Sequence, residues 1–252
     1  MNVLRRTALG FLGLLIFSAV VAPVCAQQEF PPPRGKGRVV VVISGHDGAP
    51  AYRGVAQEIA QLGYDVVLFD ANSIATNDTA ATLRSAVQQA QQMAHALPGK
   101  VGFVGFSQGG GQVLIYGSQM PDIATVVIAW YPATRSISDA AAFAARMRLP
   151  VLMLAGEMDN NHGCCEISTA RMLAAATIGR QFELVSYPNT QHAFIYGSYH
   201  YNPEAYADGM QRTAAKLAEY LGRQQAQTVH RQAATPASAG SILTATPANV
   251  WP

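Results

Sequence analysis

Residues 100–111 constrain the fold of this chain more than any other stretch. They read Lys-Val-Gly-Phe-Val-Gly-Phe-Ser-Gln-Gly-Gly-Gly. A short apolar run, 101–104, leads into Gly105-Phe106-Ser107-Gln108-Gly109, and a helix-compatible segment begins near Gly110. The pattern predicts a strand, a sharp turn and a helix. Such a turn forces its central residue into a strained conformation and brings neighbouring backbone close, so small residues are needed two before and two after it. Gly105 and Gly109 meet that need. The Ser107 hydroxyl is then presented at the carboxyl edge of a sheet. Behind it, the helix N-terminus offers unpaired amides to a developing negative charge. A glycine-rich turn with an incidental serine fits the five residues alone equally well. The flanking chain has to decide between the two.

Strand and helix patterns alternate along the body of the chain. Residues 39–44 form a continuous β-branched run, and 51–62 repeat apolar residues at helical spacing until Gly63 stops them. A strand is expected over 65–69, and a long helix over 79–97 ended by Pro98-Gly99. After the elbow and its helix, to about Ser118, come a strand at 123–130, a small helix at 140–147 and a strand at 151–155. A helix at 166–178, a strand at 182–187 and a closing helix at 204–221 complete the series. Near-continuous apolar strands separated by helices indicate an α/β fold, a mostly parallel sheet with helices on both faces. Ligands of such sheets bind beyond the carboxyl ends of the strands, so partners for Ser107 are sought there.

A hydroxyl at its ordinary pKa is a poor nucleophile and needs a general base oriented by a third group. Of the histidines, His95 falls inside the expected long helix and His230 in the C-terminal tail, while His162 and His200 are loop residues that do not directly follow a strand. His192 follows the last expected strand, in Tyr-Pro-Asn-Thr-Gln-His-Ala-Phe, and is the candidate base. The strand at 151–155 ends in Gly156-Glu157-Met158-Asp159, which delivers two carboxylates to the same edge. Asp159 has the shorter side chain and suits a fixed bond to an imidazole nitrogen; Glu157 is the fallback. The order Ser107, Asp159, His192 is the chain order of α/β-hydrolase triads.

Taken together, Gly63-Tyr64, the elbow at 105–110, Gly156-Glu157-Met158-Asp159, His192-Ala193-Phe194 and the stretch Tyr206-Ala207-Asp208-Gly209-Met210-Gln211-Arg212-Thr213 resemble the dienelactone hydrolase family of α/β-hydrolases. The resemblance implies an α/β-hydrolase fold with a minimal lid that acts on ester or lactone bonds. It also shows two departures. Founding members use cysteine at the elbow, where this chain has Ser107, and they carry a carboxylate after the first strand, where alignment on Gly48 puts Gly45 with Asp47 nearby. Thiolate gating and dienelactone itself are therefore not carried over. The oxyanion hole is expected from the backbone amides of Gln108 and, in the loop 44–48, of His46, with Gly45 or Asp47 one residue to either side. Trp130, Tyr131 and Phe194 are candidates for lining an acyl or alcohol pocket, with core packing an equal alternative. No cofactor or metal is expected.

Residues 1–26 carry Arg5 and Arg6, an apolar stretch and a small residue at the end, the pattern of a secretory signal peptide cleaved after Ala26. Cys25 as a lipidation site and Arg5-Arg6 as a twin-arginine signal match their flanking residues poorly. The full chain has 17 basic and 15 acidic residues; without the two arginines of 1–26 it is formally neutral. A neutral body with 13% charged residues has no electrostatic footprint for nucleic acid or an anionic membrane. The composition divides the rest into an extended Pro-rich leader at 27–37, an α/β-hydrolase domain at 38–222 and a disordered tail at 223–252. Cys164 and Cys165 are consecutive, about 3.8 Å apart at Cα, inside the usual minimum of ~4.4 Å for a bridge. Buried thiols are expected there ahead of a vicinal disulfide, and a metal site with His162 last.

These features lead to a periplasmic or secreted serine hydrolase of small esters or lactones. Two other readings stand beside it: an amide-cleaving hydrolase of the same fold, and a non-catalytic binding domain.

Overall fold

The computed structural model describes residues 27–197 and 200–233, with side chains to residue 222. The expected signal peptide lies outside the described residues, as does 234–252. Seven strands form one sheet: β1 (Gln27–Phe30), β2 (Gly37–Ile43), β3 (Asp65–Phe69), β4 (Ala96–Phe106), β5 (Ala124–Trp130), β6 (Val151–Gly156) and β7 (Phe182–Tyr187). Their order is β1-β3-β2-β4-β5-β6-β7. All neighbours run parallel except β1, which pairs antiparallel with β3.

Strand alternation builds two cores. Val39, Val41 and Ile43 of β2 face one side, where they meet Leu83 and Val87 of α3 (Thr79–Ala90) and Val113 of α4 (Ser107–Ile115). The same cluster takes in Phe143 of α5 (Ala140–Arg146) and Leu173 of α6 (Ile167–Ala176). Val40 and Val42 face the other side with Val55 and Ile59 of α1 (Arg53–Gln61) and Leu217 and Leu221 of α7 (Pro203–Ala233). A one-turn helix, α2 (Ala71–Ile74), follows β3 and is capped by the Asp70 carboxylate, which accepts from the Asn72 amide. This is an α/β sandwich of a mostly parallel sheet with helices on both faces. Among the described residues, no helix is long and apolar enough to cross a membrane.

Three boundaries differ from the sequence reading. The extended Pro-rich leader, set ahead of the domain at 38–222, contributes a strand to its sheet, because Gln27–Phe30 pairs as β1 with the open edge of β3. The expected helix 79–97 ends at Ala90, and Ala96 and Leu97 pair with Gly37 and Arg38 of β2. Pro98 and Gly99 fall in the irregularity that follows, with Gly99 at φ 132°. His95 is thus not helical but sits just ahead of β4. Finally, α7 runs to Ala233, so the helix extends into the stretch read as a tail.

Candidate active site

The elbow between β4 and α4 is as tight as the glycine spacing implies. Ser107 has φ 49°, the left-handed region. A Cβ on Gly105 would lie 2.4 Å from the Gly109 carbonyl oxygen, and one on Gly109 would lie 2.3 Å from that of Ser44. In place of those methyls the Gly109 amide donates to the Ser44 carbonyl at 3.1 Å, which locks the start of α4 to the end of β2.

The loops after β6 and β7 are stitched together by their backbones. Glu157 N donates to Tyr187 O at 3.0 Å and Met158 N to Thr190 O at 2.9 Å. Gly156 allows this contact, since a Cβ there would meet the Thr190 carbonyl at 2.3 Å. In that register Asp159, 3% exposed, and His192 face each other. His192 Nδ1 lies 2.8 Å from Asp159 Oδ2, and its Nε2 lies 2.8 Å from Ser107 Oγ. The Tyr131 ring packs edge-on against the imidazole, centroids 5.0 Å apart. Glu157 is turned away, its Oε1 accepting from Ser186 Oγ at 2.8 Å and Arg171 at 3.1 Å.

Beside Ser107, the loop after β2 is pinned from several directions. Ala71 N donates to Ser44 Oγ at 3.0 Å, Asn72 Nδ2 donates to the His46 carbonyl at 3.0 Å, and His46 Nδ1 sits 3.2 Å from Gln108 Oε1. Gln108 stands in the first turn of α4, where an amide has no partner within the helix.

A cavity of about 550 Å³ opens over Ser107 and His192, walled by Tyr52, Arg135, Cys164 and Tyr196. Gly45 leaves room for Tyr52, whose hydroxyl would lie 2.1 Å from a Cβ at that position. That hydroxyl is 3.1 Å from the Tyr196 hydroxyl, which in turn donates to Asp47 Oδ2. Burial, together with the bond to Asp47, pushes the Tyr196 phenol far above its ordinary value, and burial raises Tyr52 as well. Both walls are therefore neutral phenols. Sequence reasoning missed Tyr52, Tyr196 and Arg135, and no spacing rule would have found them.

One expectation is corrected, and for the three aromatics one of the two alternatives is decided in favour of core packing. Cys164 and Cys165 are bonded as a vicinal disulfide, Cα atoms 3.8 Å apart, and are not buried thiols. The Thr134 and Arg135 amides both donate to the Cys164 carbonyl, at 2.8 and 2.9 Å, and hold the pair against the loop after β5. Trp130, Tyr131 and Phe194 are core residues, at most 1% exposed. They stack on one another with centroids 5.2 to 5.6 Å apart where neighbours touch, beneath the cavity and not in its wall.

The family model for the dienelactone hydrolase family matches residues 68–221, from the end of β3 into α7. The chain belongs to the dienelactone hydrolase family. Membership makes it a hydrolase of the ester-cleaving class. No curated protein sequence matches the chain significantly. Among solved structures, a protein described as a dienelactone hydrolase from Klebsiella pneumoniae subsp. pneumoniae is 21% identical; the match covers 77% of this chain and 92% of that one, with a TM-score of 0.65. A dienelactone hydrolase-like promiscuous phosphotriesterase from metagenomic libraries is 18% identical over 74% and 88% of the two chains, TM-score 0.60. Esterase 2 of Thermogutta terrifontis, phosphorylated by paraoxon, is 19% identical over 77% and 88%, TM-score 0.60. The dienelactone hydrolase-type α/β-hydrolase fold is common to all of them.

Proposed function

We propose that the protein is an exported serine hydrolase that cleaves small carboxylic esters or lactones through an acyl-enzyme. One observation carries this reading: Ser107 Oγ, His192 and Asp159 form a continuous hydrogen-bonded chain at the floor of an open cavity. His192 Nε2 takes the Ser107 proton as Oγ attacks the carbonyl carbon, and returns it to the departing alkoxide. Asp159 holds the ring with its Nδ1–H inward and stabilises the imidazolium; burial strengthens that interaction. The backbone amides of Gln108 and His46 donate to the oxyanion. A water, activated by the same imidazole, then releases the acid.

The cavity is modest in volume, and phenol, imidazole and guanidinium groups edge it. It favours short acyl groups over long chains. Export is supported by the three-part pattern of residues 1–26, a basic start, an apolar stretch and a small residue at the end. The Cys164–Cys165 bond suits an oxidising compartment.

The test uses paraoxon, the phosphorylating agent seen on the Thermogutta terrifontis esterase. Paraoxon should release one equivalent of p-nitrophenol per chain, leave a diethylphosphoryl group on the peptide that contains Ser107, and abolish hydrolysis of p-nitrophenyl acetate in parallel. Esterase activity that survives full labelling of Ser107, or labelling that spares Ser107, would overturn the assignment.

A further inference from the structure

Three side chains with metal-binding atoms converge at the amino ends of the parallel strands, the opposite end of the sheet from Ser107. Glu29 lies in β1, Asp65 opens β3 and His95 immediately precedes β4. Glu29 stands opposite Val67 in the antiparallel register. The two-residue period of a strand therefore puts Glu29, Val67 and Asp65 on one face. His95 Nδ1 is 2.9 Å from Glu29 Oε1, and the His95 amide donates to the same oxygen at 3.2 Å. The His95 carbonyl accepts from Gly37 N at 2.9 Å, which fixes this turn on β2. One ligand atom from each of Glu29, Asp65 and His95 lies within 4.8 Å of the other two.

Asp65 is the member that calls for a cation. It is 0% exposed, yet neither of its carboxylate oxygens receives a hydrogen bond. A buried carboxylate without donors is strongly unfavourable unless a positive charge sits beside it or a proton neutralises it. The nearby His95 donors are directed to Glu29, which brings a second carboxylate against the first. An imidazole nitrogen with two carboxylates is a donor set that suits zinc-like first-row divalent ions. The side chains of His95 and Glu29 are 43% and 22% exposed, so an ion has an entry path and room for a water ligand.

We propose that Glu29, Asp65 and His95 bind a divalent transition-metal ion of the zinc type, which staples the edge strand β1 to β3 and to the turn before β4. The role is structural. The ion neutralises the two carboxylates and ties the four-residue β1, which has a strand on one side only, into the sheet. Ser107 lies beyond the other ends of the strands, so ester hydrolysis does not pass through this ion.

The purified protein, stripped with chelator and exchanged out of it, is titrated with ZnCl2 by calorimetry and melted with and without the ion. One Zn2+ per chain is expected to bind. At about 100 times its Kd the ion should raise the melting temperature by about 5 to 10 °C. Deuterium exchange at the amides of 27–30 should slow at the same time. Glu29→Gln and His95→Gln should each weaken Zn2+ binding at least ~10-fold, the scale on which even outer-shell losses act, and leave hydrolysis of p-nitrophenyl acetate unchanged. Asp65→Asn should act likewise; if it does not fold, the other two variants decide. The proposal is overturned if the wild-type protein binds Zn2+ no more tightly than these variants. It is also overturned if the variants keep the full equivalent, which would put the ion elsewhere, for example at Cys164, Cys165 and His192. Stabilisation by added acid with no response to Zn2+ would mean that a shared proton fills the role instead.

Discussion

Gly109→Ala is a sharp test of how the elbow works, because the structure gives the size of the disturbance. The new Cβ would fall 2.3 Å from the Ser44 carbonyl oxygen and 2.6 Å from that of Ile43, whereas ordinary contact begins near 3.4 Å. Backbone must therefore move by about 1 Å, the shortfall between those distances. Both obstacles are main chain at the end of β2, so no side-chain rotation relieves them. Overpacking of this kind costs about 1 to 3 kcal/mol. Replacing a helical glycine by alanine returns roughly 1 kcal/mol at most. A net loss of about 1 to 2 kcal/mol should lower the melting temperature by roughly 2 to 8 °C at this chain length. Activity should suffer more than stability. The displaced carbonyls carry the loop that holds His46, and a shift of about 1 Å in a catalytic constellation costs on the order of 100-fold. The assay is kcat/KM on p-nitrophenyl acetate beside circular dichroism and thermal melts. Gly54→Ala serves as the control, since nothing lies within 4 Å of its new methyl. It should match wild-type activity and be stabilised by up to ~1 kcal/mol. Folded Gly109→Ala with activity within threefold of wild type would refute the account.

Ser107→Ala and His192→Ala should each lower kcat by about 10⁴- to 10⁶-fold and Asp159→Asn by about 10²- to 10⁴-fold, with strongly non-additive double variants. Glu157→Gln should cost less than about threefold, because its carboxylate is engaged with Ser186 and the exposed Arg171; a Glu157 variant more damaging than Asp159→Asn would reassign the acid. The Arg212 guanidinium beside Asp208, aided by the Tyr187 hydroxyl, holds the Asp208 carboxyl below its ordinary value of 3.8. A depressed acid contributes stability above its unfolded pKa and loses it as pH falls through the folded one. Melting curves should therefore show an acid limb below about pH 3.8 that Asp208→Asn flattens; an unchanged limb in the variant would remove Asp208 from the account. N-terminal sequencing of exported protein should give Gln27 as the first residue, and a membrane-anchored species that retains Met1 would contradict cleavage.

The features legible in the sequence were those set by local backbone geometry or by the logic of a parallel sheet. Gly105 and Gly109 announced the elbow because no other residue fits carbonyls 2.4 and 2.3 Å from a Cβ. The strands 65–69 and 182–187 were read with the bounds the structure has, being short runs with turn residues on either side. Asp159 and His192 could be proposed as partners because the carboxyl ends of parallel strands share one edge, so the order of loops along the chain maps onto a place in space.

Where the sequence reading failed, the deciding partner lay far along the chain. Gln-Gln-Glu-Phe at 27–30 has no strand pattern of its own; it becomes β1 because β3 leaves an open edge of hydrogen-bonding groups. Residues 91–97 continue a helical pattern, yet β2 captures Ala96 and Leu97 as ladder partners, and that pairing overrides the local preference. Trp130 reads as a strand-end aromatic that could face either way. Close packing of α7 sends it into the core, with its indole against Gly209, where a Cβ would lie 2.4 Å away. The phenols of Tyr52 and Tyr196 meet across 144 residues, and only the folded chain brings them to the cavity wall. By itself the sequence determined the backbone turn, the parallel layers and the edge at which chemistry can occur, because each follows from near-neighbour sterics and hydrophobic period. Tertiary structure alone decided which side chains line the cavity and that the adjacent cysteines are bonded, because those depend on distances and packing between segments that no local rule encodes.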